Sequence, residues 1–433
     1  MRSHFQLILF AVVFGLLAWF SMALRAPISL STLIWPAGGV LLGVLMLCER
    51  RQWPLWLAIT FALHTAIGLW AGRALAEALV FPVSQILVAP LVAGIWRSKA
   101  RAPHTLANLH NLLWFLGLLV VGAFVGGALI SAAFAILGTT VPAGNWIAPV
   151  ISDIVGSLIG VPFILAWMNG SAHRSGGTTS AELWRGLLWL VLLAVSAYVV
   201  FDGPTALAML GSTRYELSYV PIIFLVLVAM QWDSRGLSVA LLTLAGIATW
   251  NTLQGEGPFS TPGEPVGVAL LELQAYLGAT ALLGLLMGAI TAGRHRALRR
   301  AAALKVRFEA ALNSSQHLAY EFDPATQQIL WGGDCIGLLG VHPEEIATFT
   351  QFLSRVAQQD QPELRTAVQQ YVNTQRAPDP SPHTRRFRFL CGDGQYRALV
   401  DRGAALPGLD DDIFRISGLL RVIQTDDDLA NGA

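Results

Sequence analysis

Long apolar runs separated by short polar segments fill the first two thirds of the chain. Ten of them have about the length and apolarity of membrane-crossing helices: residues 5–24, 33–48, 54–71, 74–96, 110–137, 146–168, 184–201, 217–232, 236–253 and 268–292. Several runs are short, so eight full spans with re-entrant pieces is an alternative to ten. Both numbers are even, and either one places the two termini on the same side of the membrane.

The pattern changes beyond the last apolar run. Residues 294–312 predict a basic helix that leaves the membrane, and the following segments alternate between apolar and polar positions as strands do. The predicted strands are 317–322, 328–331, 384–390, 396–405 and 413–423, and the predicted helices are 336–339, 343–346, 349–356 and 361–375. Two strands, several short helices and three more strands predict one small α+β domain.

The distribution of charge supports this division. Charged residues make up 13% of the chain, against about a quarter in soluble proteins, and residues 1–293 hold 22 of the 55 Asp, Glu, Lys and Arg. The net charge of +1 gives no reason to expect a nucleic-acid partner. The three cysteines form no CxxC pair, and the sequence predicts neither a metal site nor a cofactor.

Basic residues are concentrated in alternate loops. One set of loops carries Arg50, Arg51, Arg97, Lys99, Arg101, Arg174, Arg185 and Arg235, whereas the intervening loops carry Arg25, Arg73 and Arg214. Cytoplasmic loops are the ones rich in Lys and Arg. The asymmetry therefore predicts an inner-membrane protein with both termini in the cytoplasm.

Ionisable side chains within predicted spans are costly and often functional. Glu77, Asp153 and Glu272 are the deepest such residues, with His64 and Gln274 as candidate partners. Asp153 is the sole charge in an otherwise apolar stretch of small and aliphatic residues. It is interpreted either as part of a ligand or ion site or as a polar contact between helices, worth about 1 kcal/mol.

The segment Trp35-Pro36-Ala37-Gly38-Gly39 also has two interpretations. Proline lacks an N–H and glycine allows close backbone approach, so the segment fits a broken helix that lines a cavity. It equally fits a kink that serves packing alone. With the ionisable residues it defines the hypothetical ligand-binding set of Trp35, Pro36, His64, Glu77, Asp153 and Gln274.

Several short motifs of the apolar region occur together in a fixed order. They are Ile34–Val40, Trp53-Pro54, Asp153–Gly156 with Val161-Pro162, Trp250-Asn251-Thr252, Gly255–Phe259 and Leu273-Gln274. In this respect the region resembles the type-1 MASE domain, an integral membrane sensory domain of bacteria, over about residues 8–292. The resemblance implies a helical membrane sensor for residues 1–292, embedded in the lipid bilayer. It also implies a small-molecule signal or a membrane-protein partner.

The polar region resembles a PAS domain, most clearly in Gly392–Arg397, Asp401–Gly403 and Ile416–Ile423. The resemblance implies a cytoplasmic α+β relay domain over 313–425 that contacts an output protein or a second copy of itself. Residues 293–312 would then be a juxtamembrane signalling helix, in which we expect Arg294, Arg296, Arg299 and Arg300 to relay the signal. Residues 426–433 are predicted to form a disordered tail.

In such proteins an output module usually follows, either a GGDEF cyclase, an EAL phosphodiesterase or a histidine kinase. Gly332-Gly333-Asp334-Cys335 lacks the acidic residue of a cyclase hairpin and favours a strand-to-helix turn. His295 lacks the context of a phosphoacceptor, and no catalytic residue is expected. The expected function is signal sensing linked to cyclic-di-GMP or two-component signalling. The alternatives are a truncated cyclase, phosphodiesterase or kinase that has lost its output domain, and a membrane transporter.

Overall fold

The computed structural model describes residues 2–23, 34–101, 104–138, 147–168, 180–210, 217–260, 266–373, 383–407 and 414–423. The chain divides into two compact units at residue 296, and each has its own hydrophobic core. The predicted tail, 426–433, lies outside the described residues.

The first unit is helical, and each of the ten apolar runs contributes a helix to it. The helices are α1 (Arg2–Ala23), α2 (Pro36–Leu47), α3 (Trp53–Trp70), α4 (Leu75–Lys99), α5 (Leu109–Ile136), α6 (Ile147–Met168), α7 (Ser180–Phe201), α8 (Gly203–Leu210), α9 (Val220–Gln231), α10 (Ser234–Leu253) and α11 (Val266–Ser315). Within the described residues, seven are long and apolar enough to cross a membrane: α3, α4, α5, α6, α7, α10 and α11. Shorter apolar helices lie at 6–22, 36–47 and 220–231. The protein is an integral membrane protein.

Two of the short helices, α2 and α9, each have a proline in the first turn. Pro36 opens α2 after Trp35, whose φ of −117° and ψ of 66° are not helical, and Pro221 lies in the first turn of α9. Proline suits the first turn because its missing N–H would have no helical partner there. Each of the two helices ends a few residues before the start of a long helix, α3 after α2 and α10 after α9.

Glycines bring the start of α2 into backbone contact with α6. The Trp35 N–H donates to the Ser152 carbonyl at 3.2 Å, and the Cα of Gly156 packs directly against the carbonyl group of Trp35. A Cβ built on Gly39 would lie 2.6 Å from the Gly156 carbonyl oxygen. The close backbone approach predicted from the Gly-Gly pair is therefore present. It holds the broken end of α2 inside the unit, where residues 37–46 are buried.

The second unit contains a five-stranded antiparallel sheet with strand order β2-β1-β5-β4-β3. The strands are β1 (His317–Asp323), β2 (Gln328–Gly332), β3 (His383–Leu390), β4 (Tyr396–Pro407) and β5 (Phe414–Ile423). Between β2 and β3 lie α12 (Cys335–Leu339), a 3-10 turn (Pro343–Ile346), α13 (Phe349–Ser354) and α14 (Gln361–Asn373). This is the predicted small α+β domain, with most element bounds within one or two residues of the sequence prediction.

The turn between β2 and α12 is built as the sequence predicts. Gly333 has a φ of +97°, which favours glycine, and the Asp334 carboxylate accepts a 2.8 Å hydrogen bond from the Gly337 N–H at the helix start. Residues 332–335 therefore form a strand-to-helix turn. Apolar side chains from the sheet and helices then close one core around Phe389, Leu339 and Ile346.

Candidate ligand-binding cavity in the membrane unit

A cavity of about 850 Å³, including the space at its opening, lies among α2, α3, α4, α5 and α6. The broken start of α2 forms one side of it. Its lining combines an apolar wall with a group of polar and aromatic side chains. These are Trp35, His64, Arg73, Phe81, Ser84, Gln85, Ser152, Asp153 and Ser157.

Asp153 reaches the first turn of α2. A Cβ built on Gly38 would lie 2.8 Å from Asp153 Oδ1 and 3.1 Å from Gln85 Nε2, so both polar groups approach the same point of the helix. A helix N-terminus carries partial positive charge and suits a neighbouring carboxylate. Within the described part of the chain, Asp153 is the one carboxylate that lines the cavity.

His64 connects this point to an aromatic wall. Its ring stacks on Trp35 with centroids 4.4 Å apart, and His64 Nδ1 lies 3.1 Å from Gln85 Oε1, a hydrogen-bond distance. Phe14 packs edge-on against the other side of Trp35 at 6.5 Å. His64 and Trp35 are 4% and 8% exposed, so both rings are packed into the wall of the cavity.

The opposite side of the cavity is apolar. Val88 and Val92 of α4 face Gly122 of α5, whose Cα packs against the Val92 side chain, and Leu119 and Ala123 extend this wall. Ser84 is satisfied by the Gly126 carbonyl at 3.2 Å. The cavity therefore has a polar end at Asp153 and a largely apolar body, which suits an amphipathic molecule.

The structure brings together three of the six residues expected from the sequence. Trp35, His64 and Asp153 line the cavity, and Pro36 opens α2 beside them. Glu77 is partly exposed in the first turn of α4, and Gln274 is buried on α11, both outside the cavity lining.

Sequence reasoning missed Gln85 and Arg73. Gln85 lies on α4 between Pro82 and Pro90, in an apolar run that gives no sign of which face is buried. Arg73 lies in the loop before α4, as predicted. Its guanidinium carbon is 4.3 Å from the centroid of the Phe81 ring, and Arg73 contributes to the cavity lining. A polar residue between two prolines within a helix was the available signal for Gln85.

The arginines expected to relay a signal differ in their surroundings. Arg296 Nη2 donates to the Ala107 carbonyl at 2.6 Å, and its Nε donates to the Ala292 carbonyl at 3.1 Å. Arg294, Arg299 and Arg300 are exposed. Arg296 therefore connects α11 to the segment before α5, whereas the other three have the surroundings of solvated or headgroup-facing side chains.

A second, smaller pocket lies inside the sheet domain. It measures about 490 Å³ and is lined mainly by aromatic and aliphatic side chains. The Tyr320 hydroxyl donates to Asp401 Oδ1 at 2.8 Å in this pocket, and Asp401 is 5% exposed. The domain thus has an aromatic interior with one buried polar pair.

The two cysteines of the sheet domain are structural thiols. Burial raises the pKa of Cys335 to about 11, with a further contribution from the negative charge of Asp334, and burial also raises the pKa of Cys391. A thiol with a raised pKa is a weak nucleophile at neutral pH. Both side chains lie in the hydrophobic core of the domain.

Comparisons with known proteins agree with this architecture. The sequence profile of the MASE1 family matches residues 6–295, and a PAS-fold profile matches residues 328–420. The search of curated proteins finds no match. One similar solved structure is the N-terminal domain of a diguanylate cyclase with PAS/PAC sensor from Marinobacter aquaeolei. It is 17% identical, covers 24% of this chain and 94% of its own, and has a TM-score of 0.21. The chain belongs to the MASE1 family of membrane sensory domains, here followed by a PAS-fold domain.

Proposed function

We propose that the protein is a signalling sensor of the bacterial inner membrane. The membrane unit responds to a small ligand or to a membrane partner at the cavity, α11 passes the change on, and the PAS domain acts on an output protein or a second copy of the chain. The observation that supports this best is the polar end of the cavity, where Asp153, Gln85 and His64 gather at the broken start of α2.

The loop charges support an orientation for this site. With Arg50 and Arg51 at the cytoplasmic headgroups, α2 would rise from them into the bilayer. Its 12 residues span about 18 Å, more than half of a hydrocarbon core about 30 Å thick. Trp35 and Asp153 would then lie in the outer half of the membrane, where a molecule from outside reaches them. Both termini would be cytoplasmic.

The contacts of Arg296 support α11 as the relay. Asn111 accepts from the Arg101 N–H at 2.7 Å and donates to the carbonyls of Arg101 and Thr105, so it fixes the segment that carries Ala107. Arg296 is bonded to this segment. A change in the packing of α5 around the cavity would thus reach α11 through a short polar bridge.

The output remains a choice among the modules that accompany such sensors. Resemblance favours a cyclic-di-GMP cyclase or phosphodiesterase or a sensor kinase, reached through the PAS domain.

A transporter is the second candidate, because broken helices near the centre of a bundle often line transport paths. Two helices of this unit, α2 and α9, are short and have a proline in the first turn. Flux of a radiolabelled solute into proteoliposomes, with no change on the PAS side, would favour that function over sensing.

The sensor proposal is tested by measuring whether the cavity controls α11. Spin labels on Leu109→Cys and Arg299→Cys, both exposed positions, would report the α5–α11 distance in full-length protein in nanodiscs, with Cys48 replaced by Ala. We expect Asp153→Leu and His64→Leu to shift the distance distribution, and Glu77→Gln to leave it unchanged. Identical distributions in all variants would refute the relay.

A further inference from the structure

The polar end of the cavity contains two groups that hydrogen-bond to nothing in the described part of the chain. Gln85 Nε2 is fully buried and has no acceptor within reach, and Asp153 has neither an ion pair nor a hydrogen bond there. Both lie about 3 Å from the position that a Cβ would occupy on Gly38. They are therefore no more than about 6 Å apart, close enough for one small polar group in the cavity to contact both.

The two groups have opposite hydrogen-bonding needs. The Gln85 amide presents an N–H donor, since its oxygen faces His64 Nδ1, and the Asp153 carboxylate presents acceptors. A ligand group that satisfies both must accept one hydrogen bond and donate another from adjacent atoms. A carboxamide does this, and so does a hydroxyl.

Other chemistries fit less well. An anion held between Gln85 and Asp153 would place its charge against that carboxylate in a low-dielectric site. Arg73, a cation of the lining, lies instead over the Phe81 ring. A metal ion would meet the N–H side of Gln85, and among the residues described no three His, Cys, Asp or Glu side chains form a group that could hold one. An organic ammonium would pair with Asp153 but would leave the Gln85 donor unsatisfied.

The remaining walls define the body of the ligand. Trp35 and His64 contribute aromatic lining, and Val88, Val92 and Leu119 contribute aliphatic lining. We propose that the cavity binds an uncharged amphipathic molecule, with a carboxamide or hydroxyl head held between Gln85 and Asp153 and an apolar body along α4 and α5. This inference rests on the proposed sensory role of the same cavity and specifies its ligand class.

The test uses four fluorinated probes that differ in head group. The probes are 4-fluorobenzamide, 4-fluorobenzoate, 4-fluorobenzylammonium and fluorobenzene. Their binding is measured by the broadening of the ¹⁹F NMR line, with the full chain in nanodiscs and with empty nanodiscs as the blank. One satisfied hydrogen bond corresponds to about a tenfold change in affinity. We expect 4-fluorobenzamide to bind at least about tenfold more tightly than the other three probes.

Variants then identify the residues responsible. Gln85→Leu and Asp153→Leu should each lower the affinity for 4-fluorobenzamide by about tenfold. Glu77→Gln, which lies outside the cavity, should leave this affinity unchanged. Gln85→Glu replaces the donor by an acceptor at constant size, so the preference should move from 4-fluorobenzamide to 4-fluorobenzylammonium. Thermal unfolding of each variant provides the check on folding.

Three results would overturn the ligand class: no probe binding above empty nanodiscs, a wild-type preference for a charged probe, or an unchanged preference in Gln85→Glu. The spin-label experiment separates this failure from that of the sensor proposal. Amide binding without a change in the α5–α11 distance would retain the ligand site and refute the relay. A distance change in Asp153→Leu, with no binding of 4-fluorobenzamide to the wild-type protein, would retain the relay and refute the ligand class.

Discussion

At the scale of single residues, the cavity depends on glycines that keep α2 and α6 in backbone contact. Gly156 packs against the carbonyl group of Trp35, and Gly160 would place a Cβ 2.9 Å from the Pro36 carbonyl oxygen. Such close approach replaces side-chain packing with many short-range backbone contacts. The position of Asp153, three residues before Gly156, is fixed by the same contact.

Gly156→Ala should therefore destabilise the membrane unit. The added methyl group meets backbone atoms of Trp35 that cannot move without displacing α2, and overpacking of this kind costs about 1–3 kcal/mol or more. Thermal unfolding in nanodiscs measures the effect. Gly117→Ala is the matched control, because a Cβ on Gly117 meets nothing within 4 Å. Equal unfolding temperatures for the two variants would contradict the packing described.

A second residue-scale prediction concerns Asp360 in the PAS domain. Its carboxylate accepts hydrogen bonds from the Arg388 backbone N–H at 2.8 Å and from the guanidinium at 3.0 and 3.1 Å. These bonds from Arg388 lower the pKa of Asp360. Since the folded pKa is the lower one, the stabilisation is present above the unfolded pKa of about 3.9 and is lost as the pH falls through the folded value.

We therefore expect Asp360→Asn to lower the free energy of unfolding of the PAS domain by about 1 kcal/mol at pH 7, a small value because the pair is partly exposed. The difference should shrink below about pH 4. Urea unfolding followed by 4,4′-dithiodipyridine labelling of buried Cys335 and Cys391 measures it. Glu363→Gln is the control, and a constant difference down to the lowest pH would disprove the assignment.

At the scale of elements, the apolar runs predicted the helices well and the site less well. All ten runs contain a helix, because about 20 apolar residues in a bilayer must satisfy their backbone internally. The run at 33–48 starts as a helix at Pro36, where proline fits the first turn. The strands of the PAS domain followed from alternation and from turn residues, and their bounds differ by little.

The pattern of apolar residues could not predict which side chains line the cavity. α4 is apolar around its whole circumference, so hydrophobic periodicity does not reveal that Gln85 faces inward. Asp153 was identified because a carboxylate is rare within a span, but its approach to Gly38 depends on how α6 crosses α2. Rotation and crossing of buried helices are decided by tertiary packing, which one sequence does not display.

An element-scale prediction follows for Arg296. Replacing it with Ala removes the hydrogen bond to the Ala107 carbonyl and should free the segment 104–108 from α11. Loss of one charge-assisted bond of about 1.5 kcal/mol should raise amide hydrogen exchange in this segment by about tenfold. Arg299→Ala, at an exposed position, is the control. Unchanged hydrogen exchange in Arg296→Ala would show that the hydrogen bond from Arg296 to the Ala107 carbonyl does not hold this segment to α11.

At the scale of the whole molecule, α11 carries an exposed stretch that begins just after residue 296. From residue 297 to 311 every side chain is exposed. Ala301, Leu304, Phe308 and Ala311 follow one another at intervals of three, four and three residues, the spacing of a coiled-coil seam. Fewer than three heptads give a weak pair, so a second copy would be held here only with help from the rest of the chain.

We accordingly expect Leu304→Cys to form a disulfide-linked dimer in membranes much faster than Val306→Cys. Both side chains are about 65% exposed, but Val306 lies about 200° around the helix from Leu304. Cys48→Ala removes the accessible native thiol, while Cys335 and Cys391 are buried. If α11 carries the signal between two copies, Asp153→Leu should change the crosslinking rate at residue 304. Equal rates at 304 and 306 would argue that one copy of the chain acts directly on a separate output protein.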